Sequence, residues 1–226
     1  MKTPGMTTVL TWIAAGGLAP AGPVSNTVGF VRVDMAAPTT VAVADPFVAP
    51  DSTTAVTSTA ATLAAQAVAG DRLHVWTGSS FNTYAWSGAV WEILGTAVAA
   101  PDSRLDGTAR AGCLATRSAS GTSTLVLRGS VSAAGTTTVT VAAQSWALLG
   151  CPYPVDLCLA DLVAAGVGAG DAIRVWQVAS QSWQVYRRGA AAWSTGEGSD
   201  VVVPAGTAFL YYNARSTEAV LTFQAP

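Results

Sequence analysis

Catalysis needs side chains that can move protons or form bonds, so those residues come first. His74 is the only histidine. It lies in Gly70-Asp71-Arg72-Leu73-His74-Val75-Trp76, inside a predicted strand, and no G-x-S-x-G nucleophile elbow occurs anywhere in the chain. A histidine in that setting points to structure rather than to a general base. The glutamates are Glu92, Glu197 and Glu218, and they nominate no acid–base pair in unlike surroundings, as glycoside hydrolysis requires. Asp71 and Asp171 occupy matching places in two similar segments, where an Asx-turn ahead of a strand accounts for both. Gly166-x-Gly168-x-Gly170 is followed by a predicted strand, whereas a phosphate cradle opens a helix, so it reads as a turn.

Cys113, Cys151 and Cys158 include no C-x-x-C pair, and with one histidine they do not reach the spacing of a zinc site. Cys151 and Cys158 are close enough for a local disulfide that leaves Cys113 odd; three buried thiols are the other reading. Asn26, Asn82 and Asn213 all lack the Ser or Thr of a glycosylation sequon. The expectation is a protein with no catalytic centre, no metal and no cofactor. Tryptophan remains as the ambiguous signal. Trp76, Trp86, Trp91, Trp176, Trp183 and Trp193 fall in corresponding stretches. Packing explains them, with Trp76 and Trp176 largely buried. Trp86 and Trp183 have no repeat partner, which makes them the candidates for an exposed glycan-stacking platform.

The elements that must hold these residues come in two copies. Gly70-Asp71-x-Leu73-x-Val75-Trp76 recurs as Gly170-Asp171-x-Ile173-x-Val175-Trp176. Tyr84 answers Tyr186, Trp91 answers Trp193, and Gly107-Thr108-Ala109 answers Gly206-Thr207-Ala208. Upstream, Thr40–Val43 answers Thr138–Val141, and each copy closes on a strand, Ser123–Leu127 or Ala219–Phe223. Matches kept in order over this length imply duplication. Short strands at close spacing with Gly-rich turns predict an all-β fold of two tandem sandwich- or barrel-like repeats with short helical insertions. The insertions are Thr59–Ala69 and Asp156–Ala165, the second with Asp156 as N-cap and Gly166 as its stop. The division is 1–27 as a signal peptide or N-terminal arm, 28–129 as the first repeat and 130–226 as the second.

Gly150-Cys151-Pro152-Tyr153-Pro154-Val155-Asp156-Leu157, then Gly170-Asp171, Val175-Trp176, Trp193 and Pro204–Phe209, resemble uncharacterised secreted β-repeat proteins of Verrucomicrobia-type bacteria. The likeness spans most of Val28 to Phe223 and is weaker in the first repeat, where Asp45-Pro46-Phe47 stands for the Asn-Pro signature. It implies export and β structure, and no activity.

Composition narrows the function class. Charged residues make up 11% of the 226 residues, against about 25% in an average soluble protein. A net charge of −2 gives no basic stripe for nucleic acid. Lys2 is the only lysine. After it, Met6–Leu18 is apolar and Ala19-Pro20-Ala21 follows, the pattern of a secretory signal. No stretch reaches the about 20 apolar residues of a membrane-spanning helix. If retained, Thr8, Val9, Leu10, Thr11, Trp12 and Ile13 have the content of a strand that adds to a neighbouring copy. The expected protein is secreted or on the cell surface, non-enzymatic and structural. It assembles into a filament or surface layer through strand edges, notably Ala219–Phe223, or through the arm. Its partners are copies of itself, and in the alternative reading an extracellular polysaccharide.

Overall fold

A computed structural model describes residues 28–36, 38–47, 59–100, 112–118, 120–132, 134–194 and 201–225. Thr8–Ile13, the proposed cleavage site and Gly107–Ala109 lie outside the described residues.

The fold is all-β. The first half contains β1 (Val28–Ala36), β2 (Thr40–Val43), β3 (Arg72–Trp76), β4 (Phe81–Trp86), β5 (Trp91–Ile93), β6 (Cys113–Thr116) and β7 (Thr122–Ser130), with helix α1 (Thr59–Ala64) after β2. The second half contains β8 (Thr136–Val141), β9 (Trp146–Gly150), β10 (Leu157–Cys158), β11 (Ala172–Gln177), β12 (Ser182–Arg187), β13 (Val202–Val203), β14 (Ala208–Tyr212) and β15 (Ala219–Gln224). Helix α2 (Leu159–Ala164) follows β10.

Strand pairing is similar in the two halves, except that β5 adds a fifth strand to the first large sheet and β10 pairs with β13 only in the second half. β1 pairs with β7 as a ribbon, and β8 with β15. The larger sheets run β2-β6-β3-β4-β5 and β9-β14-β11-β12, and all these pairings are antiparallel. Register fixes the correspondence residue by residue. Leu73 faces Tyr84 and Ala115; Ile173 faces Tyr186 and Tyr211. It follows that β2 answers β9 and β1 answers β8. The sequence match of Thr40–Val43 with Thr138–Val141 is therefore displaced by one strand: both are Thr/Val runs, and composition cannot tell an outer ribbon strand from a sheet edge. By register Gly112 stands where Ala208 does in the second half.

Alternation builds four layers. In β3, Leu73 and Val75 point into one core, with Met35, Leu125 and Leu127 of the β1–β7 ribbon over them and Phe47 and Leu63 closing the end. In β11, Ile173 and Val175 do the same beneath Leu221 and Phe223, with Tyr153, Leu159 and Leu162. The opposite faces of the two sheets meet each other through Ala42, Ala44, Leu114, Leu148, Ala208 and Leu210. The order is thus ribbon, sheet, sheet, ribbon. At the centre a side chain at Gly150 would collide with the Ala44 methyl, and one at Gly112 with the Ala208 methyl, so there the glycine backbone of one sheet packs directly on an alanine of the other.

The helices are shorter than the sequence suggests. α2 starts after Cys158, whose N–H donates to the Asp161 carboxylate (2.8 Å), and Gly166 at φ 120° stops it. Asp156 is not the cap: its carboxylate accepts the Ala205 N–H (2.8 Å) instead.

Candidate functional site

The residues with chemical potential are committed to structure. His74 lies between two threonine hydroxyls, with Nδ1 2.8 Å from Thr83 Oγ1 and Nε2 3.2 Å from Thr116 Oγ1. Burial, helped by the nearby Arg72, lowers its pKa and favours the neutral ring. Cys113 is buried and its thiol is pushed far up by desolvation. Of the two cysteines expected to form a bridge, Cys151 is buried and Cys158 half-buried. Between them Tyr153 enters the second core, and Cys158 precedes α2. Among the described residues no group of His, Cys, Asp or Glu could hold a metal ion.

Asp71 and Asp171 do equivalent work, and it is more than an Asx-turn. Asp71 accepts the N–H groups of Val68 (2.9 Å) and Ser118 (2.7 Å) and pairs with Arg117 (2.6 Å). Asp171 accepts Gly168 N–H (2.8 Å), Ala214 N–H (2.9 Å) and Tyr211 O–H (2.7 Å), with Arg215 at 3.1 Å. Each carboxylate ties the loop before a strand to the loop after its sheet neighbour. Burial opposes ionisation of Asp71, but the Ser118 and Val68 donors and Arg117 outweigh it and hold the carboxyl below its usual range.

The tryptophans fall into separate groups. Trp91 and Trp193 are buried, as packing demands. Trp76 and Trp176 are only half-buried, against expectation, because they lie at the rim of the sheet-to-sheet contact. They nevertheless pin the halves together. Trp176 Nε1–H donates to Thr40 O (2.8 Å) and Trp76 Nε1–H to Trp146 O (3.2 Å), and Thr40 and Trp146 are themselves matching first residues of β2 and β9. Trp183 does have a counterpart by register, Phe81. Trp176–Trp183 and Trp76–Phe81 are matching edge-to-face pairs at 5.1 and 4.9 Å. Trp86 matches Arg188: Trp86 stacks edge-on against Trp91 (5.2 Å), and Arg188 sits 6.0 Å from the Trp193 ring. The structure does not bring Trp86 and Trp183 together. One joins the first-half core, the other the seam between halves.

Among the described residues, a groove of about 590 Å³ runs along β8, lined by residues 138–142, 145–149 and Trp76-Thr77-Gly78. One wall is a strand edge that no other described strand pairs with. Gly135 O accepts from Ala225 N–H, so odd-numbered residues of β8 bond to β15 and even-numbered ones, Thr136, Thr138 and Thr140, turn their N–H and C=O outward. Sequence reasoning looked instead to the last strand, Ala219–Phe223. The outer edge of that strand is covered: Thr222 N–H donates to Ala165 O (2.7 Å) at the end of α2. The matching edge of β7 is covered by Gln66, whose amide bonds both N–H and C=O of Val126.

No family model, curated protein or solved structure matches this chain.

Proposed function

We propose that this protein is a non-enzymatic, extracellular structural unit that associates with copies of itself into a filament or surface layer, and that its two halves arose from one duplicated β unit. The observation that carries the reading is the exposed edge of β8 beside a large groove, whereas the outer edges of its ribbon partner β15 and of β7 are bonded at Thr222 and Val126. Residues 129–155 contain no Asp, Glu, Lys, Arg or His. Soluble proteins blunt an exposed edge with such charges, and an edge left without them is a template for another chain. The shared strand order of the halves supports duplication, and the apolar Met6–Leu18 stretch before Ala19-Pro20-Ala21 supports export.

The test is association of the purified chain with rising concentration, followed by light scattering and negative-stain microscopy. Growth in particle mass with visible regular assemblies is expected. A chain that stays monomeric at high concentration overturns the reading and returns attention to carbohydrate binding.

A further inference from the structure

We propose that the first contact in this assembly is a two-fold pairing of β8 with β8 of a second copy, centred on Thr138. The proposal rests on the self-association reading and names its interface.

The two halves provide an internal comparison. Val126 and Thr222 occupy matching places, since each offers its N–H to the loop beside it. Their ribbon partners are Arg32 and Thr138. Arg32 and Asp34 on β1 thus stand where β8 has Thr138 and Thr140. The same strand position is guarded by exposed charges of both signs in one half and by none in the other. Charged side chains blunt a strand edge against pairing with another chain, so β1 is guarded where β8 is not.

β8 is also complementary to itself. Antiparallel pairing about Thr138 sets Thr138 against Thr138 of the second copy and Thr136 against Thr140, and these are the residues whose N–H and C=O point outward. Each pair exchanges two main-chain hydrogen bonds. Their side chains are exposed and form a threonine ladder, a favourable cross-strand pairing. On the inner face Thr137 meets Val139. Beyond Thr140 the next even-numbered carbonyl, Ala142 O, already accepts from Asn213 Nδ2 (3.0 Å). The open stretch is therefore Thr136–Thr140, symmetric about Thr138. The groove beside it, about 590 Å³, gives the incoming strand more room than the hollow of about 270 Å³ along β15.

A cysteine at the centre of the pairing reports on it directly. In a hydrogen-bonded antiparallel pair the Cα atoms lie about 5.5 Å apart, within disulfide reach. Thr138→Cys in the full chain is expected to yield a covalent dimer on mild oxidation, with a 138–138 linkage found by peptide mass spectrometry. Arg32→Cys, at the matching place on β1, is expected to stay uncrosslinked. Thr138→Pro removes the central N–H at an edge that tolerates proline and is expected to weaken dimerisation at least tenfold with an unchanged far-UV spectrum. An intact chain that associates while Thr138→Cys gives no 138–138 linkage overturns the β8 interface and leaves the assembly reading standing. Association abolished by deleting residues 1–24 but untouched by Thr138→Pro assigns the contact to the N-terminal segment instead. An intact chain that never associates removes both.

Discussion

Four donors converge on the fully buried carboxylate of Asp171. Removing it leaves Gly168 N–H, Ala214 N–H and Tyr211 O–H without an acceptor. Arg215, with 34% of its side chain exposed, regains water and adds less. Orphaned buried donors cost about 1–3 kcal/mol each, with incomplete additivity, so Asp171→Ala is expected to lose about 3–5 kcal/mol in urea denaturation. Its counterpart Asp71 makes stability depend on acid. The folded-state pKa of Asp71 is depressed. Its contribution is therefore present above the ordinary aspartate value, about 3.9, and is lost as pH falls below that value through the folded pKa. Asp71→Asn should flatten that part of the stability profile measured between pH 5 and 2, and a variant with an unchanged acid limb would show that Asp71 does not contribute. The repeated Gly-Asp was legible in the sequence as a turn marker. That its carboxylate reaches across to the loop after the neighbouring strand was not, because Ser118 lies 47 residues away and Ala214 43 residues away.

At the scale of elements, strand existence was readable and strand position was not. Alternation in Leu73-His74-Val75-Trp76 marks the two faces of β3, with Leu73 and Val75 buried, since period-two patterning needs only local sequence. Pairing is non-local, so two Thr/Val-rich strands were interchangeable on paper. The burial of the paired tryptophans illustrates the same gap. Trp91 and Trp193 sit in the cores beneath the ribbons, while Trp76 and Trp176 sit at a rim that exists only once both halves have formed. Their substitution costs should separate accordingly. Trp91→Ala empties a core site and is expected to cost about 3–5 kcal/mol. Trp176→Phe keeps an aromatic ring against Trp183 and loses one hydrogen bond to Thr40 O, an oxygen that Gln181 Nε2 also reaches (3.1 Å). A loss of about 1 kcal/mol is expected there. Chemical denaturation of the two variants orders them; equal losses would contradict the assigned positions.

At the scale of the molecule, the seam between the two large sheets decides whether the halves are separate domains. The sequence suggested two tandem units, and nothing in it revealed how they meet. The residues responsible are small or aliphatic: Ala42, Ala44, Leu114, Leu148, Ala208 and Leu210. In strands buried on both faces such residues give a continuous apolar run rather than an alternating one. Gly112 and Gly150 permit the closest approach, and no motif marks them. Main-chain bonds cross the seam as well, from Ala44 N–H to Gly206 O (2.9 Å) and from Gly112 N–H to Leu148 O (3.1 Å). Either half alone would expose this apolar face, and its loss would strand those groups. The whole chain is therefore expected to unfold as one cooperative unit, with calorimetric and van't Hoff enthalpies in agreement. Gly150→Val tests the seam directly. Its side chain must displace the Ala44 methyl, which has no rotamer by which to yield, and overpacking of this kind costs about 1–3 kcal/mol. Because the strain falls between the halves rather than within either core, the variant should do more than lower the midpoint. Its calorimetric transition should broaden or divide as the halves uncouple, while the far-UV signal before the transition stays that of the parent. A Gly150→Val protein that melts at the parental temperature in a single sharp step would show that the two sheets do not meet at this residue.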